Sequence, residues 1–139
     1  LLDFGAVLMV DPMIAHKYRR LICVGLQGDT DGLMTAAQDM GLIDATTRDE
    51  HRVRIVQIIR QVFDMIRDGG AIDFTDQTLS KQLQAEGLAL YKDGFTPPVL
   101  PIDILLIQRK FAGLFLLGAR LGANVDVADI LHTHSKIIR

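Results

Sequence analysis

Capping residues and helix-stopping glycines alternate along this chain so regularly that they leave room for little besides helices. Asp11-Pro12 supplies a side-chain cap and then proline at the first helical position, and Met13, Ile14, Tyr18, Leu21, Ile22 and Cys23 keep helical spacing as far as Gly28. Asp29 or Asp31 opens the next segment, which Leu33, Met34, Ala37 and Met40 carry to Gly41. Thr47 and Glu50 have the spacing of a capping box, and Val53, Val56, Ile59, Val62, Phe63 and Ile66 trace an apolar stripe to Gly69-Gly70. A further helix is expected from Thr75 or Asp76 through Leu79, Leu83 and Leu88 to Tyr91. The stretch KDGFTPPVLP is a rigid extended connector. Pro101 then starts a long helix to Leu121, apolar nearly all round, which that composition places at the centre of the core. Gly122 stops it and Asp126 caps a last helix. Only Leu1 to Val10, apolar with a break at Gly5, reads as a strand. The expected fold is mainly α: one helical domain over residues 1–139 with a short extended segment at residues 1–10.

Composition narrows what such a domain can do. With glycine counted and tyrosine left out, roughly 56% of residues are apolar, above the usual 45–50%. Such a surplus calls either for a dense core or for a face that meets another domain, a subunit or a membrane surface. A net charge of −2 and the lack of a large basic block argue against nucleic acid as a partner, because phosphate tracks need clustered Lys and Arg. The single cysteine, Cys23, cannot staple the fold and reads as a plain buried thiol. The apolar start lacks the basic region of a signal peptide. Val99 to Leu121, the most apolar long stretch, carries Asp103, Gln108, Arg109, Lys110 and Arg120, too many polar groups for a lone membrane span. The domain is therefore expected to be soluble.

Several stretches invite a chemical reading, and each has a plainer one. DTDG at 29–32 imitates the opening of a calcium loop, but Leu33 and Met40 stand where ligands belong, so a capping turn is the better account. His132 and His134 point roughly 200° apart on a helix and do not share a metal; only an extended tail would bring them to one side. Pro98 to Pro101 matches a PxxP ligand, yet it also steers the chain into a helix. Arg48, Arg52, Arg54, Arg60 and Arg67 alternate with Asp49, Glu50, Asp64 and Asp68, the pattern of a solvated face.

The opening LLDFG carries more. Two apolar residues lead into Asp3-Phe4-Gly5, and a helix follows soon after. On a kinase-type turn, Asp3 would hold Mg²⁺ against ATP phosphates while Phe4 packs inward and Gly5 lets the backbone turn. The plainer reading makes Asp3 a turn former, Phe4 a core residue and Gly5 a bend. Taken alone, the tripeptide supports both.

LLDFG, a short helix series without an Ala-Pro-Glu motif, and then LPIDILLIQRKFAGLFLLGARLGANVDV together resemble the carboxy-terminal part of the UbiB / aarF-domain family of atypical protein-kinase-like proteins. The resemblance covers essentially the whole chain. It implies the helical carboxy-terminal lobe of a kinase-like fold, an atypical kinase or ATPase that binds Mg²⁺ and ATP and serves ubiquinone or other isoprenoid-lipid metabolism. By position it assigns Asp3 to the metal and Asp3, Phe4 and Gly5 to the nucleotide site; Arg109 and Lys110 match a family pattern without an assigned role. It also implies that the amino-terminal lobe, the phosphate loop and the catalytic loop lie outside these residues. The chain then reads as a fragment, not competent alone, whose partners are the missing lobe, a homo-oligomer through exposed apolar surface, or a membrane-associated lipid-biosynthesis complex. The implied location is cytoplasmic or peripheral to the inner membrane in a bacterial-type cell. The alternative is a non-catalytic helical module that binds a protein or lipid complex.

Overall fold

A computed structural model describes residues 7–68 and 70–135 of the chain. Its helices are α1 (Pro12–Gln27), α2 (Thr30–Asp39), α3 (Asp49–Asp68), α4 (Thr78–Lys92), α5 (Ile102–Leu121) and α6 (Val127–Ser135). Two short strands complete the described elements. β1 (Ile72–Asp73) pairs antiparallel with β2 (Asn124–Val125), Ile72 opposite Val125 and Asp73 opposite Asn124. The mainly α fold expected from the capping pattern is thus present.

The punctuation works as its chemistry requires. The Asp11 carboxylate accepts from Met13 N at 2.7 Å to open α1, and Gly28 closes it in the left-handed region at φ 71°. The Asp29 carboxylate accepts from Gly32 N at 2.9 Å, so the DTDG turn caps α2. Asp126 does the same for α6 through Asp129 N at 2.8 Å.

Thr47 departs from the capping-box reading. Helix α3 begins at Asp49, one residue later than that motif needs, and the Thr47 hydroxyl instead accepts from Asp44 N at 3.0 Å in the preceding turn. Residues 7–10, the described part of the expected strand, form no regular element; the paired strands lie at 72–73 and 124–125.

The core sits among the first three helices. Leu33, Val56 and Phe63 are buried together, with Leu21, Ile22, Val24, Leu26, Met34, Ile59 and Ile66 packed around them. Each such side chain contributes on the order of 1.5–3 kcal/mol when fully buried. Close approach of α1 and α3 depends on Gly25: a Cβ there would stand 2.4 Å from the Phe63 ring. The α1 face that supplies Ile22 and Gly25 leaves Cys23 pointing outward, so the thiol is exposed rather than buried and accepts from Gln27 Nε2, 3.5 Å from its sulfur.

Helix α5 is not the centre of the core. Ile104 is its one buried residue among those described, whereas Phe111 is 55% exposed, Leu116 64% and Leu121 73%. Its attachments are few: Phe111 meets Tyr18 edge to face at 6.0 Å between ring centroids, and Phe115 meets Phe74 at 5.2 Å. Gly118 lies under the Phe74 ring, where a Cβ would come within 2.8 Å. The Tyr18 hydroxyl is buried without a hydrogen-bond partner among the described residues, and burial raises its pKa. Hydrophobicity selected α5 for burial; the described packing leaves most of it uncovered.

Gly25→Ala should destabilise the chain by about 1–3 kcal/mol, since the Phe63 ring must leave its place. Urea unfolding measures this, with the midpoint expected to fall.

Candidate functional site

Asp3, Phe4 and Gly5 lie outside the described residues, so their surroundings are not on view. The structure does display a cavity and a charged junction, both built on α3.

The cavity, of about 500 Å³, opens between α3, β1, the start of α4 and α5. Val62, Met65, Leu79, Leu83 and Phe115 form its apolar wall, and Asp73 and Asp76 stand at its edge. Asp73 Oδ1 accepts from Thr75 Oγ1 at 2.6 Å and from Thr75 N at 2.8 Å. The Thr75 hydroxyl, with its amide, holds the Asp73 carboxyl below the usual range, although the neighbouring Asp76 charge opposes this. Asp76 accepts from Thr78 N at 2.9 Å, and bonds from Thr78 lower its pKa in turn. Both carboxylates are turn-forming groups at the head of α4, which suits a helix N-terminus.

The charged junction joins α3 to the end of α4. Gly94, at φ 82°, turns the chain out of α4, with Phe95 N donating to Leu90 O at 3.0 Å. That turn sets Asp93 opposite Arg48, His51 and Arg54. Asp93 Oδ2 lies 3.0 Å from His51 Nε2, 3.5 Å from Arg54 Nη1 and 3.7 Å from Arg48 Nη2. His51 is buried, with 3% of its side chain exposed, and its ring meets Phe95 edge to face at 5.6 Å. Its Nε2 also stands 2.8 Å from Arg48 Nη2. Arginine only donates and a carboxylate only accepts, so one proton position cannot serve both contacts. With the proton on Nε2, His51 donates to Asp93 while Arg48 donates to the Asp93 carbonyl. An acidic residue at a helix C-terminus faces the negative end of the dipole; here three basic side chains offset it. The His51 hydrogen bond, then the Arg48, His51 and Arg54 charges, hold the Asp93 carboxyl below its ordinary range against partial desolvation.

The arginine row therefore divides. Arg60 and Arg67 pair with Asp64 and Arg52 with Asp49, as a solvated face would. Arg48 and Arg54 instead reach across to Asp93, a junction that the local charge pattern did not reveal. His132 and His134 are exposed on α6 and Arg109 and Lys110 on α5. Among the described residues no three His, Cys, Asp or Glu side chains gather as metal ligands, and no helix is long and apolar enough to cross a membrane.

The described body is mainly helical, and similarity to known proteins says more about its kind. Over 94% of its length the chain is 28% identical to the mitochondrial atypical kinase COQ8 of Saccharomyces cerevisiae, of which the match covers 26%. It is likewise 28% identical over 94% of its length to the mitochondrial atypical kinase COQ8B of Rattus norvegicus, covering 24% of that protein. Over 95% of its length it is 23% identical to the mitochondrial atypical kinase coq-8 of Caenorhabditis elegans, covering 17%. The chain is thus distantly homologous to the COQ8/UbiB atypical kinases and spans about a quarter or less of these relatives. No family model and no solved structure matches it.

Because Asp93 has a lower pKa folded than unfolded, its contribution to stability is complete above about pH 4 and is lost as pH falls through the depressed folded value. Asp93→Asn should lower the melting temperature near neutrality, and the gap from the parent should close as pH falls below about 4 and through the depressed folded value. A gap independent of pH would show that the carboxylate charge does not hold the junction.

Proposed function

We propose that this chain forms part of the helical carboxy-terminal lobe of an atypical kinase or ATPase, in which Asp3 binds the magnesium of Mg-ATP while Phe4 and Gly5 shape the turn that presents it. Homology to atypical kinases along 94% of the chain is the observation that carries this reading. The described residues do not by themselves fit the cofactor, since they gather no set of three ligating side chains. Asp3 is then one carboxylate of a larger set, and the catalytic loop and the amino-terminal lobe, outside these residues, supply the rest. No catalytic step is assigned to these residues, because phosphoryl transfer requires several anchored charges acting together. The intact protein would serve ubiquinone or other isoprenoid-lipid metabolism, in the cytoplasm or at the periphery of an inner membrane.

In the longer protein, Asp3→Ala should weaken Mg-ATP binding at least about tenfold, as expected for loss of a metal-bound carboxylate. Calorimetry with and without Mg²⁺ reads the effect, and unchanged binding would remove Asp3 from the site. The 139-residue chain alone should bind no Mg-ATP at Asp3.

A second reading, a non-catalytic module that assembles through its apolar surface, draws on α5, where Phe111, Leu114, Leu116, Leu117 and Leu121 are all exposed. On this reading the chain self-associates or joins a lipid-biosynthesis complex. Sedimentation should then show mass rising with concentration, and Leu114→Asp with Leu117→Asp should return it to a monomer. A monomer at every concentration would end the self-association reading.

A further inference from the structure

Helix α1 carries His16, Lys17, Arg19 and Arg20 and no acidic residue at all. These side chains stand in its middle turns, away from the C-terminal turn where the helix dipole rewards positive charge. Three of them line a second cavity, of about 250 Å³, between α1 and α2: Met13, His16, Lys17 and Arg20 form one wall, Ala36 and Asp39 the other. The volume is well above the ~30 Å³ share of one water in the liquid.

The side chains of this cavity are unequally committed. Arg20 Nη1 donates to Asp39 Oδ2 at 2.8 Å, which fixes the guanidinium beside the opening and leaves its other N–H groups for a ligand. Lys17 is half-buried and forms no ion pair among the described residues. Its ammonium is thus left without a counter-ion among the described residues, and an incoming anion would supply one. With Lys17 and Arg20 positive and Asp39 negative, the pocket has a net positive charge, and His16 offers a further polar atom.

We propose that this pocket binds a phosphate group, with Lys17 as the point charge and Arg20 as the oriented donor. Phosphate suits the pair because a compact ammonium and a guanidinium fork together can serve several oxygens of one tetrahedral anion. The group is carried either by a soluble phosphate ester or by a phospholipid headgroup; both present the same oxygens. The proposal does not rest on the nucleotide reading, which concerns Asp3, Phe4 and Gly5, and the two can fail separately.

Titration of the 139-residue chain with inorganic phosphate at constant ionic strength, followed by amide chemical shifts, tests the site. Saturable shifts should centre on residues 13–20 and 36–39. Lys17→Met, which keeps most of the side-chain length, and Arg20→Met should each weaken binding at least about tenfold. Asp39→Asn, which removes the one negative charge, should tighten it, an effect that a merely structural role for Asp39 does not produce. Shifts that never saturate, or binding by Lys17→Met equal to the parent, would overturn the proposal. Phosphatidylcholine vesicles with and without phosphatidic acid then separate the sources: Lys17-dependent recruitment by phosphatidic acid assigns a headgroup, and saturable phosphate binding without recruitment assigns a soluble ester.

Discussion

The contact between the Phe63 ring and the backbone of Gly25 sets the position of α3, and most of what surrounds it follows from that helix. A missing Cβ lets α1 and α3 approach closely, the ring fills the space, and Leu33 of α2 and Val56 of α3 complete the cluster. Once α3 is placed, one face of it is committed at both ends: Arg48, His51 and Arg54 near its start to the end of α4, Val62 and Met65 near its finish to the larger cavity. The pocket between α1 and α2 depends on the same packing, because burial of Ala36 brings Asp39 within reach of Arg20.

The two halves are joined by different physics. Helices α1 to α3 are held by apolar burial, which tolerates small shifts but is sensitive to volume. The α3–α4 junction is held by a buried imidazole, two guanidinium groups and one carboxylate, so its geometry is directional. Helix α5 has neither kind of anchor in quantity. It rests on Ile104 and two ring contacts and presents a row of large apolar side chains outward. Distant homology to kinases several times longer than this chain gives that surface a natural role in the proposed reading, as a face that other parts of a larger protein would cover.

Site chemistry was unevenly visible. The DTDG turn could be recognised as a cap because its ligand positions hold Leu33 and Met40, and Asp29 does cap α2. The LLDFG motif and the late apolar stretch pointed to atypical kinases, and distant homology to them agrees. The Asp93 junction gave no such sign. Asp93 stands about forty residues from the side chains it meets, and locally Arg48 and Arg54 look like the other arginines of an amphipathic helix.

What could be read directly from residue order were the features settled within one or two helical turns: where α1, α2, α5 and α6 begin or end, because a carboxylate, a proline or a glycine acts on backbone groups a few residues away. Burial was different. Cys23 lies in an apolar run yet faces outward, and α5 is the most apolar helix yet lies mostly uncovered. Which face of a helix is buried depends on the partner it meets, and that partner is chosen by packing between segments far apart in the chain. Only the tertiary arrangement could therefore say which apolar residues form the core and which charges come together across it.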